Sequence, residues 1–431
     1  MKTILKLMAL PLVALMCGCS DDAPQGGQEP TPDPAPAPSP ETPGQVTTLD
    51  KLVEINLSAD EQAANEALNA FAFDMLGRVS ANYDQIFSDN DNGNLTLSPL
   101  SAVTCLSLLA NTCDNDNAGA IYHAVGCDNL PALNVVINKL LRHLPCSELG
   151  AKLELANSVW FNRNSITPPA DYIALMNTTF GAEVNGMVPN TAEAVKLIND
   201  WCSLHTNGMI PTFVDQVPYD VMLLNALYFN GTWQTKFNKD LTTRETFHSP
   251  TGNWAVDMMH NCFTTDYYAD DNFEMLELPF DGENYSLRLL LPRQGVDIAA
   301  ATELLTYDYF RSILASEGSV HATMSLPRLD LDQELQLNSL MRAYGINIDA
   351  VALPAIGSSR IGNLNVKQKT ASRIAEEGAS VAAVTGTGVA WLPEEGFTPK
   401  EVTIDFNRPF IFVLSNNRTN TVLMAGRILR P

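Results

Sequence analysis

The groups able to do covalent or acid–base chemistry are scattered along this chain of 431 residues. Gly378-Ala379-Ser380-Val381-Ala382 has the first Gly and the Ser of a nucleophile elbow. It lacks the closing Gly and the buried apolar strand that should lead into it, so serine hydrolysis is rejected. The six histidines, His123, His143, His205, His248, His260 and His321, form no His-Glu-x-x-His pair, and a zinc hydrolase has no ligand set. Asp89-Asn-Asp-Asn-Gly93 imitates the start of a calcium loop, but Leu100 stands where the closing bidentate Glu is required, which leaves a polar turn. Beyond Cys17 and Cys19 come Cys105, Cys113, Cys127, Cys146, Cys202 and Cys262, without a Cys-x-x-Cys pair for zinc; buried free thiols and one or two bridges both fit. No cofactor and no enzymatic activity are expected. The most informative stretch carries no reactive group. Glu376 to Thr387 reads Glu-Glu-Gly-Ala-Ser-Val-Ala-Ala-Val-Thr-Gly-Thr, a double carboxylate followed by small uncharged side chains, a few residues before Trp391-Leu392-Pro393.

The chain that must position this stretch is large and acidic. A hydrophobic content of 45% can bury an extensive core. The net charge of -23, with no basic run beyond the N-terminus, argues against nucleic acid or anionic lipid as a partner. Residues 1–18 read as an export signal: Lys2 and Lys6, then an apolar run from Leu7 to Met16 too short to span a bilayer. The sequence Leu15-Met-Cys-Gly-Cys19 resembles the bacterial lipobox, which makes Cys19 the expected lipid anchor in a bacterial cell envelope. A plain secretory signal cleaved nearby is the alternative. Ser20-Asp21-Asp22 looks like the surface-export signal of some Gram-negative bacteria, or is simply the start of a solvated linker, so outer-membrane attachment is expected and surface exposure is left open. Residues 19–51 are rich in Pro, Gln, Gly and acidic residues and almost devoid of apolar ones, hence a disordered tether.

From residue 52 to 431 there is no second linker and no repeat, so one domain is expected. Leu68, Phe71, Met75 and Leu76 fit one helix face, and Val103 to Leu109 fit a helix starting after Ser98-Pro99. Met222 to Phe229, Phe273 to Pro279 and Ser286 to Pro292 are apolar or alternating runs bounded by Gly, Pro and Asn, hence strands. Helices first, then mostly strands with further helices, is an α+β pattern.

Ile404-Asp-Phe-Asn-Arg-Pro-Phe-Ile-Phe-Val-Leu414 follows the small-residue run at a spacing that resembles the serpin family of serine and cysteine protease inhibitors. Other blocks continue the resemblance in order: Asn94 to Ser101, Leu155 to Phe161, Ile198-Asn-Asp-Trp201 with Thr206 to Ile210, Leu224 to Trp233, Met258-Met259, Leu276 to Pro279 and Leu326-Pro-Arg328. It implies a fold of three β-sheets and about eight or nine helices, with an exposed reactive-centre loop. It also implies irreversible suicide inhibition of serine, or cysteine, endopeptidases, in which the protease cleaves the loop, becomes acylated, and is trapped when the hinge inserts into the central sheet. The hinge would be Glu376, Glu377, Gly378, Ala379, Ser380, Val381, Ala382, Ala383, Val384 and Thr385. Alternate side chains of such a strand must fit a core, and Ala379, Val381, Ala383, Thr385 and Thr387 are small or β-branched and uncharged.

The resemblance further implies that Glu376 pairs with Arg328 near Trp233, and that Ser98, Ser101 and Asn225 belong to a polar cluster that parts on insertion. The family's His in that cluster is replaced by Gln368, so a pH dependence assigned to it should be missing while function survives. Family spacing puts the scissile bond after Leu392, before Pro393; Trp391-Leu392 is the near alternative, and Val389 or Ala390 would suit elastase-like proteases. Chymotrypsin-, cathepsin G- or subtilisin-like targets are expected, and trypsin-like ones are not, since no Lys or Arg lies between Arg373 and Lys400. The partners are then target proteases in covalent complex and a membrane through Cys19, with a monomeric chain. A non-inhibitory surface binding lipoprotein on the same scaffold is the competing class.

Overall fold

Ser58 starts the first helix. Its hydroxyl accepts from the Glu61 N–H while the Glu61 carboxylate accepts from the Ser58 N–H, a capping box that fixes α1 (Ala59–Ala81). Leu68, Phe71, Met75 and Leu76 are all buried along it. Ser98 caps α2 (Pro99–Ala110), and Pro99 takes the first helical position, where a missing N–H costs nothing. Every residue of α2 is buried. There follow α3 (Asn115–Ala124), α4 (Leu130–His143), α5 (Ala170–Phe180), α6 (Ala192–His205), α7 (Ile298–Leu304), α8 (Tyr307–Leu314) and α9 (Asn338–Ala343). The structure is a computed structural model, and it describes residues 55–83, 93–145, 150–346, 351–362, 367–379 and 399–431.

The strands are β1 (Leu95–Leu97), β2 (Ala151–Asn162), β3 (Ala182–Met187), β4 (Val221–Thr232), β5 (Thr243–Ser249), β6 (Gly252–Ala269), β7 (Phe273–Pro279), β8 (Tyr285–Pro292), β9 (Gly318–Pro327), β10 (Leu329–Gln336), β11 (Val351–Leu353), β12 (Ser358–Gly362), β13 (Lys367–Ala375), β14 (Gly378–Ala379), β15 (Lys400–Asp405), β16 (Phe410–Asn416) and β17 (Val422–Ile428). One sheet runs β10-β13-β14-β4-β2-β3; a second runs β1-β17-β16-β8-β7-β6-β9-β15, with β5 also on β6; β11 and β12 form a third. Nine α-helices and three sheets among the described residues make an α+β fold. The run from Ile404 to Leu414 is divided between β15 and β16 around Pro409, which has no N–H to give a ladder.

Helix α2 packs against β4 on one side and β17 on the other, and so lies between the two large sheets. The opposite face of β4 is covered by α6 and the connection after it: Ile198, Trp201, Ile210, Phe213 and Val214 share a buried cluster with Met222, Leu224 and Ala226. A strand buried on both faces needs no polar alternation, which explains the apolar run from Met222 to Phe229. Asn225 is its one interruption. Cys105, Cys113, Cys127 and Cys202 are free and buried, and Cys262 is free and exposed. Burial pushes the Cys105, Cys113 and Cys202 thiols up to about 12 and Cys127 to about 11.

The second sheet buries an ion pair, Arg288 Nη2 to Glu277 Oε1 at 2.7 Å, with Glu317 close by. Glu317 Oε2 is buried without a hydrogen-bond partner. Burial, opposed by Arg288 and reinforced by Glu277 and Asp266, pushes the Glu317 carboxyl from its ordinary 4.5 up to about 7. The folded state holds this proton more tightly than the unfolded chain does. The stability it contributes is therefore whole below about pH 4.5 and is lost as pH rises to about 7. Glu317→Gln should match the parent at about pH 4 and exceed it by about 2 kcal/mol at pH 8, after allowance for solvent screening. Urea unfolding at the two pH values checks this; a gain equal at both would contradict it.

Candidate functional site

The chain leaves β13 at Ala375, turns through Glu376 and Glu377, and comes back as the two-residue strand β14. Ile374 pairs with Ala379 and Ala375 with Gly378 on one side; Thr232 pairs with Gly378 and Gly231 with Ala379 on the other. Ala379 is buried. The approach is close enough that a Cβ on Gly378 would stand 1.8 Å from the Gly231 carbonyl oxygen, and a Cβ on Gly231 would stand 2.4 Å from the Phe280 ring. The bare Cα of Gly378 is what lets β14 lie this close to β4, while the bare Cα of Gly231 leaves room for the Phe280 ring.

Each carboxylate of the turn is held separately. Glu376, with its side chain only 3% exposed, receives Arg328 Nη2 at 2.5 Å and Nε at 3.0 and 3.1 Å, and the Thr242 hydroxyl at 2.6 Å. Burial works against its charge, yet these bonds outweigh that and keep the carboxyl below the usual carboxylate range. The stabilisation this gives is present above the ordinary carboxylate pKa and is lost as pH falls through the lowered value. Glu377 faces solvent and is paired with Lys236 at 2.9 Å and Lys239 at 3.1 Å, whose bonds lower its pKa. Trp233 closes the end of β4. Its Nε1 donates to the Ala375 carbonyl at 2.8 Å, its own N–H donates to the Glu377 carbonyl, and its ring stacks on Phe280 at 4.4 Å.

Below β14, among the described residues, no ladder joins β13 directly to β4. A small cavity lies between them, lined by Ser98, Ser101, Asn225, Phe229, Gln368 and Thr370. Gln368 spans it to α2: Oε1 accepts from the Ser98 N–H at 3.1 Å and Nε2 donates to the Ser98 carbonyl at 2.6 Å. The Ser98 hydroxyl donates to Ser101 Oγ at 2.8 Å and also reaches the Leu423 carbonyl. Asn225 stands across the gap and bonds Asn157 rather than the serines; its Oδ1 is buried and unpartnered. All these groups are neutral amides and hydroxyls, and none titrates near neutral pH. Thermal unfolding midpoints of Gln368→His should gain a pH dependence between 5.5 and 7.5, around the ordinary histidine pKa of about 6.5, that the parent lacks in this layer; identical profiles would contradict this.

The structure thus brings Arg328 onto Glu376, Trp233 onto the backbone of the turn at Ala375 and Glu377, and Ser98, Ser101 and Gln368 into one network. Ser380, Val381, Ala382, Ala383, Val384, Thr385, Val389, Ala390, Trp391, Leu392 and Pro393 lie outside the described residues, as do Cys19, the tether and Cys146. Sequence reasoning missed Thr242, Lys236, Lys239, Asn157 and Thr370. Asn157 had a signal, a polar residue inside an apolar strand run; the lysines and Thr242 had none.

A family model described as serpin, serine protease inhibitor, matches residues 66–431. Among curated proteins, a serpin-like protein of Thermococcus kodakarensis is 26% identical over 384 residues, covering 86% of each chain. Human neuroserpin is 25% identical over 84% of this chain and 92% of its own. Among solved structures, the native state of tengpin, a thermophilic serpin, superposes with a TM-score of 0.74 at 25% identity, over 88% of this chain and 96% of that one. Human thyroxine-binding globulin shares the fold, with a TM-score of 0.76 at 18% identity. With its family model matched over most of its length and Gly378-Ala379 set as a short strand between two others of its six-stranded sheet, this chain belongs to the serpin family of protease inhibitors.

Proposed function

We propose that this chain is an irreversible suicide-substrate inhibitor of serine endopeptidases, with cysteine endopeptidases a further target class, and that it is not itself an enzyme. The observation that carries this is that Gly378 and Ala379 already form a strand between β13 and β4, above a gap with no direct ladder. Extending the two registers downward sets Val381 opposite Ser372 and Phe229, Ala383 opposite Thr370 and Leu227, and Thr385 opposite Gln368 and Asn225. These residues fall on the face of Ala379, the buried one, and none is charged. Thr385 would bring a hydroxyl donor to the unpartnered Asn225 Oδ1.

The protease nucleophile attacks the carbonyl of the scissile residue, at Leu392 or Trp391 or, for elastase-like enzymes, Val389 or Ala390. The amine of the next residue leaves with the C-terminal segment, which β15 keeps in the fold. The freed hinge gains a ladder on each side as it descends, and the acyl-enzyme is carried with it before water can release it. The native fold is then a store of free energy. By the same reading, residues 1–18 are the signal, Cys19 the lipid anchor in a bacterial outer membrane, 19–51 the tether, and 52–431 the inhibitory domain, working as a monomer.

The test is to mix the mature domain with chymotrypsin, neutrophil elastase, subtilisin and trypsin, and to run denaturing gels with mass spectrometry of the released peptide. The expected result is a complex that survives boiling with at least one of the first three, and a peptide beginning near Pro393. Cleavage by all of them with no complex would sink the reading and favour a binding scaffold.

A further inference from the structure

Cys262 differs from the other described cysteines in its surroundings. Cys105, Cys113, Cys127 and Cys202 are buried, whereas Cys262 is exposed and has a base beside it. Strands β6 and β9 run antiparallel with Cys262 opposite Thr323 and Thr264 opposite His321, which makes Cys262 and His321 diagonal neighbours. Side chains alternate along both strands. Phe263, Thr265, Ala322 and Met324 are buried on one face; Cys262, Thr264 and Thr323 are exposed on the other, with His321 half-buried among them. Cys262 Sγ lies 3.1 Å from His321 Nε2 and 3.4 Å from Thr323 Oγ1, and Thr264 Oγ1 lies 3.4 Å from His321 Nδ1. A ring proton on Nδ1, facing Thr264, leaves Nε2 to accept the thiol proton. The inhibitory mechanism makes no use of this pair, which belongs to the second sheet, while β14 belongs to the six-stranded one.

A nucleophile and a base within hydrogen-bond reach form a reactive pair, and the surroundings select its chemistry. Acyl transfer requires N–H groups aimed at a developing oxyanion. Here the Cys262 N–H donates to Asn261 Oδ1 at 2.9 Å, and the pair stands on the open face of a ladder whose backbone groups lie in the plane of the sheet. Among the described residues no three His, Cys, Asp or Glu side chains converge as a metal site would need. Attack on a disulfide needs neither donors nor metal. Its leaving group is a thiolate, which requires only a proton. We propose that Cys262 is a modification site for low-molecular-weight disulfides, with His321 as its base. His321 Nε2 takes the Sγ proton as Sγ attacks one sulfur of the reagent R–S–S–R. The bond from Sγ to that sulfur forms as the reagent's S–S bond breaks, and the departing R–S⁻ takes the proton back from His321. Cys262 ends oxidised, as a mixed disulfide, and the other half of the reagent is reduced to free thiol. This site stands independently of the inhibitory reading.

The test adds excess glutathione disulfide to the protein at pH 7 and follows adduct formation by intact mass spectrometry, with peptide mapping of the modified cysteine. The expected result is one glutathionyl group, on Cys262, and no such adduct on C262S. H321Q keeps a polar side chain but takes no proton, and should react about tenfold more slowly, since an unassisted thiol with the ordinary pKa of about 8.5 is ionised only to a few per cent at pH 7. In denaturing urea, where the diagonal contact is lost, the two rates should converge. H260Q is the control: His260 lies two residues from Cys262 on the same strand and is paired with Glu245 at 2.6 Å, so its loss should leave the rate at that of the parent. Folded H321Q reacting as fast as the parent, or an adduct that maps to another cysteine, overturns the proposal. H260Q slowing as much as H321Q overturns it too, by assigning the rate to the general charge of the face.

Discussion

Thr385→Arg is expected to turn the protein from an inhibitor into a substrate, lowering the yield of covalent complex by more than about 100-fold while leaving loop cleavage at its parent rate. Register extension sets residue 385 between Gln368 on β13 and Asn225 on β4, facing the neutral layer under α2. That layer offers amides and hydroxyls but no carboxylate. A guanidinium there is buried without a counter-charge, at a cost of several kcal/mol, and each 1.4 kcal/mol is a tenfold change in the partition between insertion and deacylation. Glu394→Arg, beyond every candidate bond on the C-terminal side, should trap protease as the parent does. Titration of chymotrypsin or elastase activity against each variant checks the pair; equal trapping by Thr385→Arg and the parent would mean that the strand stops short of this depth.

Trp233→Ala should cost about 3–5 kcal/mol of stability, the range for removing a large aromatic side chain from a packed core. Trp233 is 1% exposed, stacked on Phe280, and its indole N–H satisfies the Ala375 carbonyl beside the hinge turn. The loss should also loosen the hinge, so limited proteolysis near residues 376–380 should quicken. Trp233→Phe restores the stacking but not the hydrogen bond and should recover only part of the loss. Urea unfolding of both variants, with proteolysis in parallel, separates the packing from the hydrogen bond.

Those two residues illustrate what could be read from the sequence and what could not. The helix faces of α1 and α2 and the runs that became β4, β7 and β8 are local patterns, and period and capping residues locate them without knowledge of their neighbours. The run of small uncharged residues after Glu377 was legible because exclusion of charge and bulk is a property of the segment itself. That Gly378 and Ala379 already lie in the sheet was not, since it depends on how closely two strands can flank a third. Gly378, which allows it, and the Gly231 carbonyl it lies against are 147 positions apart in the sequence and meet only in the fold. The holders of Glu376 and Glu377 were equally remote: Thr242, Lys236 and Lys239 come from the turn after β4, where a lysine looks like any other surface cation. Only Arg328 was named beforehand, through family resemblance rather than spacing. Gln368 was legible as a departure, and its geometry explains why an amide suffices, since donating and accepting at one backbone position requires no charge.

The claim on which the rest depends is that the gap between β13 and β4 is built to receive the cleaved hinge. A new central strand would add hydrogen bonds on both sides and bury small apolar side chains. At about 1 kcal/mol per bond, this amounts to some 15–20 kcal/mol, or about 20 °C in the unfolding midpoint of a domain this size. The direct measurement is calorimetry on the mature domain before and after its loop is nicked by a protease that is not itself trapped. A rise of about 20 °C in the nicked form, absent in nicked Thr385→Arg, is the predicted result; a midpoint unchanged or lowered by nicking would contradict it.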